Sequence, residues 1–253
     1  MVKLIKGDRT SIEKRLAKLW RAYYLERIFL PIWPGRPKPS LKAIYALDKK
    51  GAEMLTDVQG INPTHLRHQI RNRQTGERYL KHYLMISNFR TILTLATEER
   101  RNLELLFFRH DKSLEDRVRI EDETYPVAPD AYIGLKDKEG KFYFFLEADR
   151  STMSDRRFLK KTRGYFLWWK EKGHINKFEI KHFRVLTLTK SEERAETLRK
   201  VTLKVKGDEN QEGSTLFWFS DESRISLEDP KTIFRKIWRK AAKEDAKLHS
   251  ILE

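Results

Sequence analysis

Three carboxylates stand where the chain otherwise places apolar side chains. Asp130 opens the run Ala-Tyr-Ile-Gly-Leu, and Glu147 and Asp149 end the run Phe-Tyr-Phe-Phe-Leu. A charged turn from Lys136 to Lys141 separates the two runs, which is the pattern of a β-hairpin. Glu147 and Asp149 are two apart, so strand alternation points both to one face. Carboxylates in such surroundings are costly to desolvate unless a positive group joins them. A divalent metal, or a lysine or arginine, would meet that need. The following segment offers Lys160 and Lys161, with Tyr165 four residues beyond Lys161 and therefore its neighbour on a helix face.

These residues need a scaffold. From Arg78 the spacing predicts a long helix to Arg101, a strand over 103–109 and a charged connection over 111–124, followed by the hairpin. A helix capped by Ser154 runs to about Lys172 and carries Trp168 and Trp169 as core residues. A strand over 183–189, a helix from Ser191, a strand over 215–219 and a basic last helix from Lys231 to about Leu248 complete the order. Three successive strands followed by strand–helix alternation predict an α/β (α+β) domain, a mixed sheet flanked by helices, over 78–253. His82 lies on the long helix and is a minor site candidate.

The N-terminal region, 1–56, reads differently. Thr10 and Ser11 with Glu13 signal a helix start, and the helix that follows carries Arg15 and Lys18 on a basic outer face. A short strand over 28–30, a proline-rich loop with Arg36 and Lys38, a strand over 43–47 and a helix capped by Asp48 come next. Helix, strand, basic loop, strand, helix is the tail of a winged helix-turn-helix, in which a helix enters the major groove and the wing touches phosphates. The expectation is a partial winged helix with Arg15, Lys18, Arg36 and Lys38 on DNA. Residues 57–77 are polar and broken by glycine and proline, and read as a linker with a short helix over 65–73.

The 253 residues are 39% hydrophobic and 36% charged, enough for a core beneath a heavily solvated surface, and the net charge of +16 suits a nucleic-acid partner. The absence of cysteine excludes disulfides, cysteine-ligated zinc and thiol nucleophiles. No glycine-rich phosphate loop is present, which excludes a P-loop nucleotidase. No signal-like apolar start and no run long enough to span a bilayer occur, so no membrane and a cytoplasmic location are expected.

Pro129-Asp130 on one strand and Glu147-Ala-Asp149 on the next resemble the signature of the PD-(D/E)XK nuclease superfamily. That resemblance implies Mg²⁺ or Mn²⁺ on Asp130 and Glu147, with Asp149 as a further ligand, and a lysine that orients or activates water. Asp149 stands where the usual motif has lysine, so Lys161 is expected to supply the cation. More particularly, Pro129-Asp130-Ala, then Leu146-Glu147-Ala-Asp149-Arg150-Ser-Thr152, then Lys161 and Tyr165, look like the replication-relaxation family of plasmid proteins. The segments Tyr45-Ala-Leu and Gly51-Ala-Glu-Met-Leu, and His82, agree with it. The family tends to have glycine where this chain has Ser151. The resemblance implies an N-terminal winged helix and a nuclease-like C-terminal half, acting on plasmid or phage DNA, alone or with further copies or other replication proteins. Asp130, Glu147 and Lys161 would then be catalytic, with Tyr165 and His82 as additional candidates. A DNA-binding replication or mobilisation factor that no longer cuts, and an interaction module with a salt-bridged acidic pair, are the alternatives.

Overall fold

The computed structural model describes residues 5, 7–29, 43–61, 77–151, 153–205, 213–243 and 245–253. The chain divides into two compact units, Met1–Lys81 and His82–Glu253.

The first unit contains α1 (Arg9–Arg21), a two-stranded antiparallel sheet of β1 (Leu25–Ile28) and β2 (Ile44–Leu47), and α2 (Lys49–Gln59). Its helix is capped two to three residues before the expected position: Asp8, not Thr10 or Ser11, accepts the Ser11 amide at 2.9 Å, and Arg9 takes up Glu13. A carboxylate at this position also offsets the positive helix end. Asp48 caps α2 as anticipated, accepting the Lys49 amide at 2.7 Å. Gly51 is required where α2 meets the chain just before β1, because a Cβ there would lie 2.2 Å from the Tyr24 carbonyl oxygen. The strand expected at 28–30 begins earlier, and α2 runs three residues past 56. The basic loop with Arg36 and Lys38, and the short helix expected over 65–73, lie outside the described residues.

The second unit is built on a six-stranded mixed sheet. Its strands are β3 (Glu104–Arg109), β6 (Ala131–Lys136), β7 (Lys141–Asp149), β8 (Arg184–Thr189), β9 (Gly213–Asp221) and β10 (Arg239–Ala242), in the spatial order β10-β9-β8-β7-β6-β3. Strands β7, β8 and β9 are parallel, and the other pairings are antiparallel. The long helix α3 (Glu77–Glu98) contributes Met85, Phe89, Ile92 and Ala96 to one face, against Ile133, Phe144, Leu146 and Leu188. Helix α4 (Asp155–Lys170) covers the other face, with Phe158, Tyr165 and Trp168 against Tyr132, Phe145 and Val185. A short α5 (Gly173–Phe178) and α6 (Glu192–Thr202) complete the helices described. Burial of both faces explains the nearly continuous apolar runs of the central strands.

Three expectations need correction. The charged connection is an antiparallel ribbon of β4 (Asp116–Ile120) and β5 (Glu123–Val127). Its inward Val118 and Val127, with Leu114 before them, pack under α4, while outward arginines and glutamates mask the alternation. The last helix is not found among the described residues: a 3-10 turn over Pro230–Phe234 leads to edge strand β10. Trp238 belongs to the α3-side core and Ala241 to the α4-side core, a division across the sheet that residues three apart on one helix could not make. Trp169 is 44% exposed although Trp168 is buried, since successive helix residues lie about 100° apart.

Candidate functional site

The hairpin and α4 position the cluster. Phe144, Leu146 and Ala148 face α3, so alternation sends Phe145, Glu147 and Asp149 toward α4. Asp130 precedes β6, its amide bonded to the Leu146 carbonyl oxygen at 2.9 Å, which sets it beside the end of β7. Pairing of Ala131 with Leu146 fixes that register. Ser154 caps α4, and this start places Lys161 and Tyr165 on its inner face.

Two of the expected carboxylates come together with the lysine. Lys161 Nζ bonds Glu147 Oε2, and the Tyr165 hydroxyl donates to Glu147 Oε1 at 2.5 Å. Asp130 is held on both oxygens: His82 Nε2 donates to Oδ1 at 3.0 Å, and the Ala148 amide to Oδ2 at 2.7 Å. His110, which carried no signal in the sequence, donates from Nδ1 to the Asp130 carbonyl oxygen. The accessible side of the cluster is the Asp130–His82 pair, whose side chains are 20% and 28% exposed.

Asp149 is drawn elsewhere. Arg194 of α6 donates Nε to its Oδ1 at 3.1 Å and Nη2 to its Oδ2 at 3.3 Å, and also holds Asp155 and the Met153 carbonyl oxygen. The arginine thus ties the loop after β7 to α6. Its role was invisible in the sequence because it follows Asp149 by 45 residues with no motif. Arg15 and Lys18 are exposed on α1.

Electrostatics follows from burial. Burial pushes Glu147 up to about 7, with the Asp130 charge adding to it, against the pull of Lys161 and Tyr165. Burial opposes the charge of Lys161, yet Glu147 and Asp130 hold it above its usual value. Burial likewise opposes the charged forms of His82 and Asp130, but their mutual bond prevails, raising the histidine and lowering the carboxyl. The pairing that Lys161 makes with Glu147 would by itself lower the carboxyl, so the upward direction at Glu147 comes from burial outweighing that pairing. Because the folded value is raised, Glu147 contributes stability that is complete below about pH 4.5 and lost as pH rises through about 7. Urea melts from about pH 5 to about pH 8 should show that decline, with a shallower slope in Glu147→Gln. An unchanged slope would show that Glu147 does not titrate in this range.

Ser151 adopts φ 60° and donates its amide to Asp149 Oδ1 at 2.6 Å. This left-handed conformation costs a side-chain-bearing residue about 1 kcal/mol relative to glycine. Ser151→Gly should therefore raise stability by about 0.5–1 kcal/mol, measured by thermal denaturation. A loss of stability would mean that the serine side chain has a compensating role.

Geometry and topology define a mixed α/β protein with an acid–lysine cluster at the ends of its central strands. Residues 3–179 match the replication-relaxation family model, and the chain belongs to that family. The match includes Asp130, Glu147 and Lys161 and stops before β8. Neither the curated proteins nor the solved structures give a match. No helix among the described residues is long and apolar enough to cross a membrane.

Proposed function

We propose that this protein acts on plasmid or phage DNA in replication or mobilisation, and that its second unit is a nuclease of the PD-(D/E)XK type, cutting or nicking DNA with Asp130, Glu147 and Lys161. The observation that carries the reading is the Lys161–Glu147 pair beside a fixed Asp130. Family membership supports the replication role. The exposed Arg15 and Lys18, with Arg36 and Lys38, are assigned to DNA contact in a winged-helix region. The cytoplasm is the corresponding location.

Magnesium fits the donor set in one particular mode. It is commonly held by one or two carboxylates, with water and phosphate oxygens filling the remaining positions. Asp130 and Glu147 provide two such groups, and each oxygen keeps a second lone pair beyond the bond it accepts. Asp149 does not join them, being bound by Arg194; among the described residues no group of three or more acidic or histidine side chains is arranged to hold a metal. Bound there, the ion would supply charge neutralisation at the scissile phosphate and a nucleophile at neutral pH.

The protein's own groups have separable tasks. His82 and the Ala148 amide hold the Asp130 carboxylate in one orientation. Tyr165 holds Glu147 from the core side. Lys161 has three N–H donors, so one can stay on Glu147 while the others reach a phosphate oxygen or a water. A preorganised cation in a water-poor site stabilises developing phosphate charge more effectively than one in solution.

The same pairings also favour a second reading, a nuclease-fold replication factor that binds DNA without cutting. Lys161 already neutralises Glu147, and Arg194 neutralises Asp149. Supercoiled plasmid incubated with Mg²⁺, with Mn²⁺ and with EDTA decides between them. Metal-dependent nicked or linear product, lost in Asp130→Ala and Glu147→Ala, supports the enzyme. Binding without product in either metal supports the non-cutting factor.

A further inference from the structure

Helix α4 carries a second, outward set of cations that the candidate site does not use. Arg156, Lys160 and Arg163 recur at helical spacing and share one face. Arg156 and Lys160 are exposed and Arg163 is half-buried. Strand β5 lies alongside this face: Gly164 approaches it so closely that a Cβ would stand 2.4 Å from the Pro126 carbonyl oxygen. Lys160 Nζ sits 5.4 Å from the centre of the Tyr125 ring. None of the three cations is closed off by an ion pair among the described residues.

Their fields reach an exposed carboxylate of the neighbouring ribbon. Glu123 of β5 is held below its usual value by the Tyr125 hydroxyl, and then by the fields of Lys160, Arg163 and Arg156 together. An exposed carboxylate of the ribbon thus lies within the field of three cations, in a turn that also carries the exposed Glu121 and Asp122. That is the electrostatic environment of a phosphate, here met by a glutamate from the neighbouring ribbon. Between Arg156 and Arg163 the helix rises about 10 Å. A DNA strand advances about 3.4 Å per phosphate along the duplex axis, so the face spans about three phosphates. Lys160 adjoins Lys161, whose side chain turns inward to Glu147. A backbone on this face would therefore run beside the candidate site.

We propose that the outer face of α4, with Arg156, Lys160 and Arg163 beside Tyr125, is a DNA-backbone track leading to the Asp130–Glu147 cluster, and that Glu123 is its built-in competitor. The proposal rests on the reading of the protein as DNA-acting, and it is independent of whether the cluster cuts. An acidic ribbon that only balances the helix charge would behave differently, since removing its carboxylate would then not improve binding to anything.

The test is fluorescence anisotropy of the full chain with a short labelled duplex of arbitrary sequence, in EDTA and over a salt series. The triple variant Arg156→Ala/Lys160→Ala/Arg163→Ala should bind about tenfold or more weakly at low salt, with a log–log salt slope flatter by about three. Glu123→Gln should bind about threefold more tightly, the effect of one screened surface charge. Circular dichroism melts of both variants check that they fold. Arg15→Ala/Lys18→Ala separates the two surfaces. Wild-type binding that depends on Arg15 and Lys18 but is unchanged in slope and affinity by the triple variant overturns the track alone. A wild-type chain that binds no DNA overturns the DNA reading and the track with it. Competition by polyglutamate equal to that of unlabelled DNA at matched charge assigns the face to acidic proteins instead.

Discussion

If the second unit cuts DNA as proposed, Lys161→Met should abolish metal-dependent plasmid cleavage, by about a thousandfold or more, while changing DNA affinity by less than about twofold. The side chain is only 15% exposed and bonded to Glu147, so it contributes little to the field that attracts DNA from solution. On the proposed reading its effect is confined to charge that develops during the reaction, and such groups alter rate more than affinity. Methionine preserves the length and apolar packing of the stem. It also leaves Glu147 able to protonate, since burial already pushes that carboxyl up to about 7 against the pull of Lys161. Measured together, plasmid nicking, anisotropy and a thermal melt separate the three effects. Full cleavage by Lys161→Met would remove the lysine from the mechanism. Cleavage lost together with binding would instead show that the lysine belongs to the DNA surface.

The second large effect is on stability. Arg194→Ala should destabilise the protein by about 3–5 kcal/mol, the range for removing one partner of a buried ion pair. The Asp149 side chain is 5% exposed and would be left charged with only the Ser151 amide as a described partner. The same change releases Asp155 and the Met153 carbonyl oxygen, so the loop between β7 and α4 loses its tie to α6. For a domain of this size each kcal/mol is worth about 2–4 °C in melting temperature, so a fall of about 10 °C is expected. Replacing both partners, as Asp149→Leu with Arg194→Met, should recover most of the loss, because the unpaired charge then disappears. A change within about 0.5 kcal/mol for Arg194→Ala would show that Asp149 does not depend on it. Asp149 would then again be a candidate metal ligand.

The local pieces were legible wherever chemistry and geometry are both local. The Lys136–Lys141 turn between two apolar runs specifies the hairpin, and alternation alone puts Glu147 and Asp149 on one face. Lys161 and Tyr165 are neighbours because a helix repeats every 3.6 residues, and both meet Glu147 as that spacing requires. Asp48, Ser154 and Ser191 cap their helices because a short oxygen-bearing side chain can satisfy an open amide within its own turn. Ser151 itself stands in a left-handed backbone, the conformation that glycine adopts most easily.

What required the tertiary structure was the choice among partners distant in sequence. Glu147 and Asp149 look equivalent along the strand, yet one meets Lys161 and the other Arg194, because α4 and α6 approach different ends of that short segment. The residues from Ile233 to Ala241 satisfy a helical apolar pattern as well as a strand. The open edge of β9, with cores on both sheet faces, selects the strand. The ribbon of β4 and β5 is concealed by its charges, since only its inward positions are apolar and their burial depends on α4. Sequence by itself thus determined which residues carry charge, where the chain turns and which side chains share a face, since those properties depend on neighbours within one helical turn or one hairpin. Only the packed structure decided which cation neutralises which carboxylate, because that depends on the distances between elements that the chain joins through long connections.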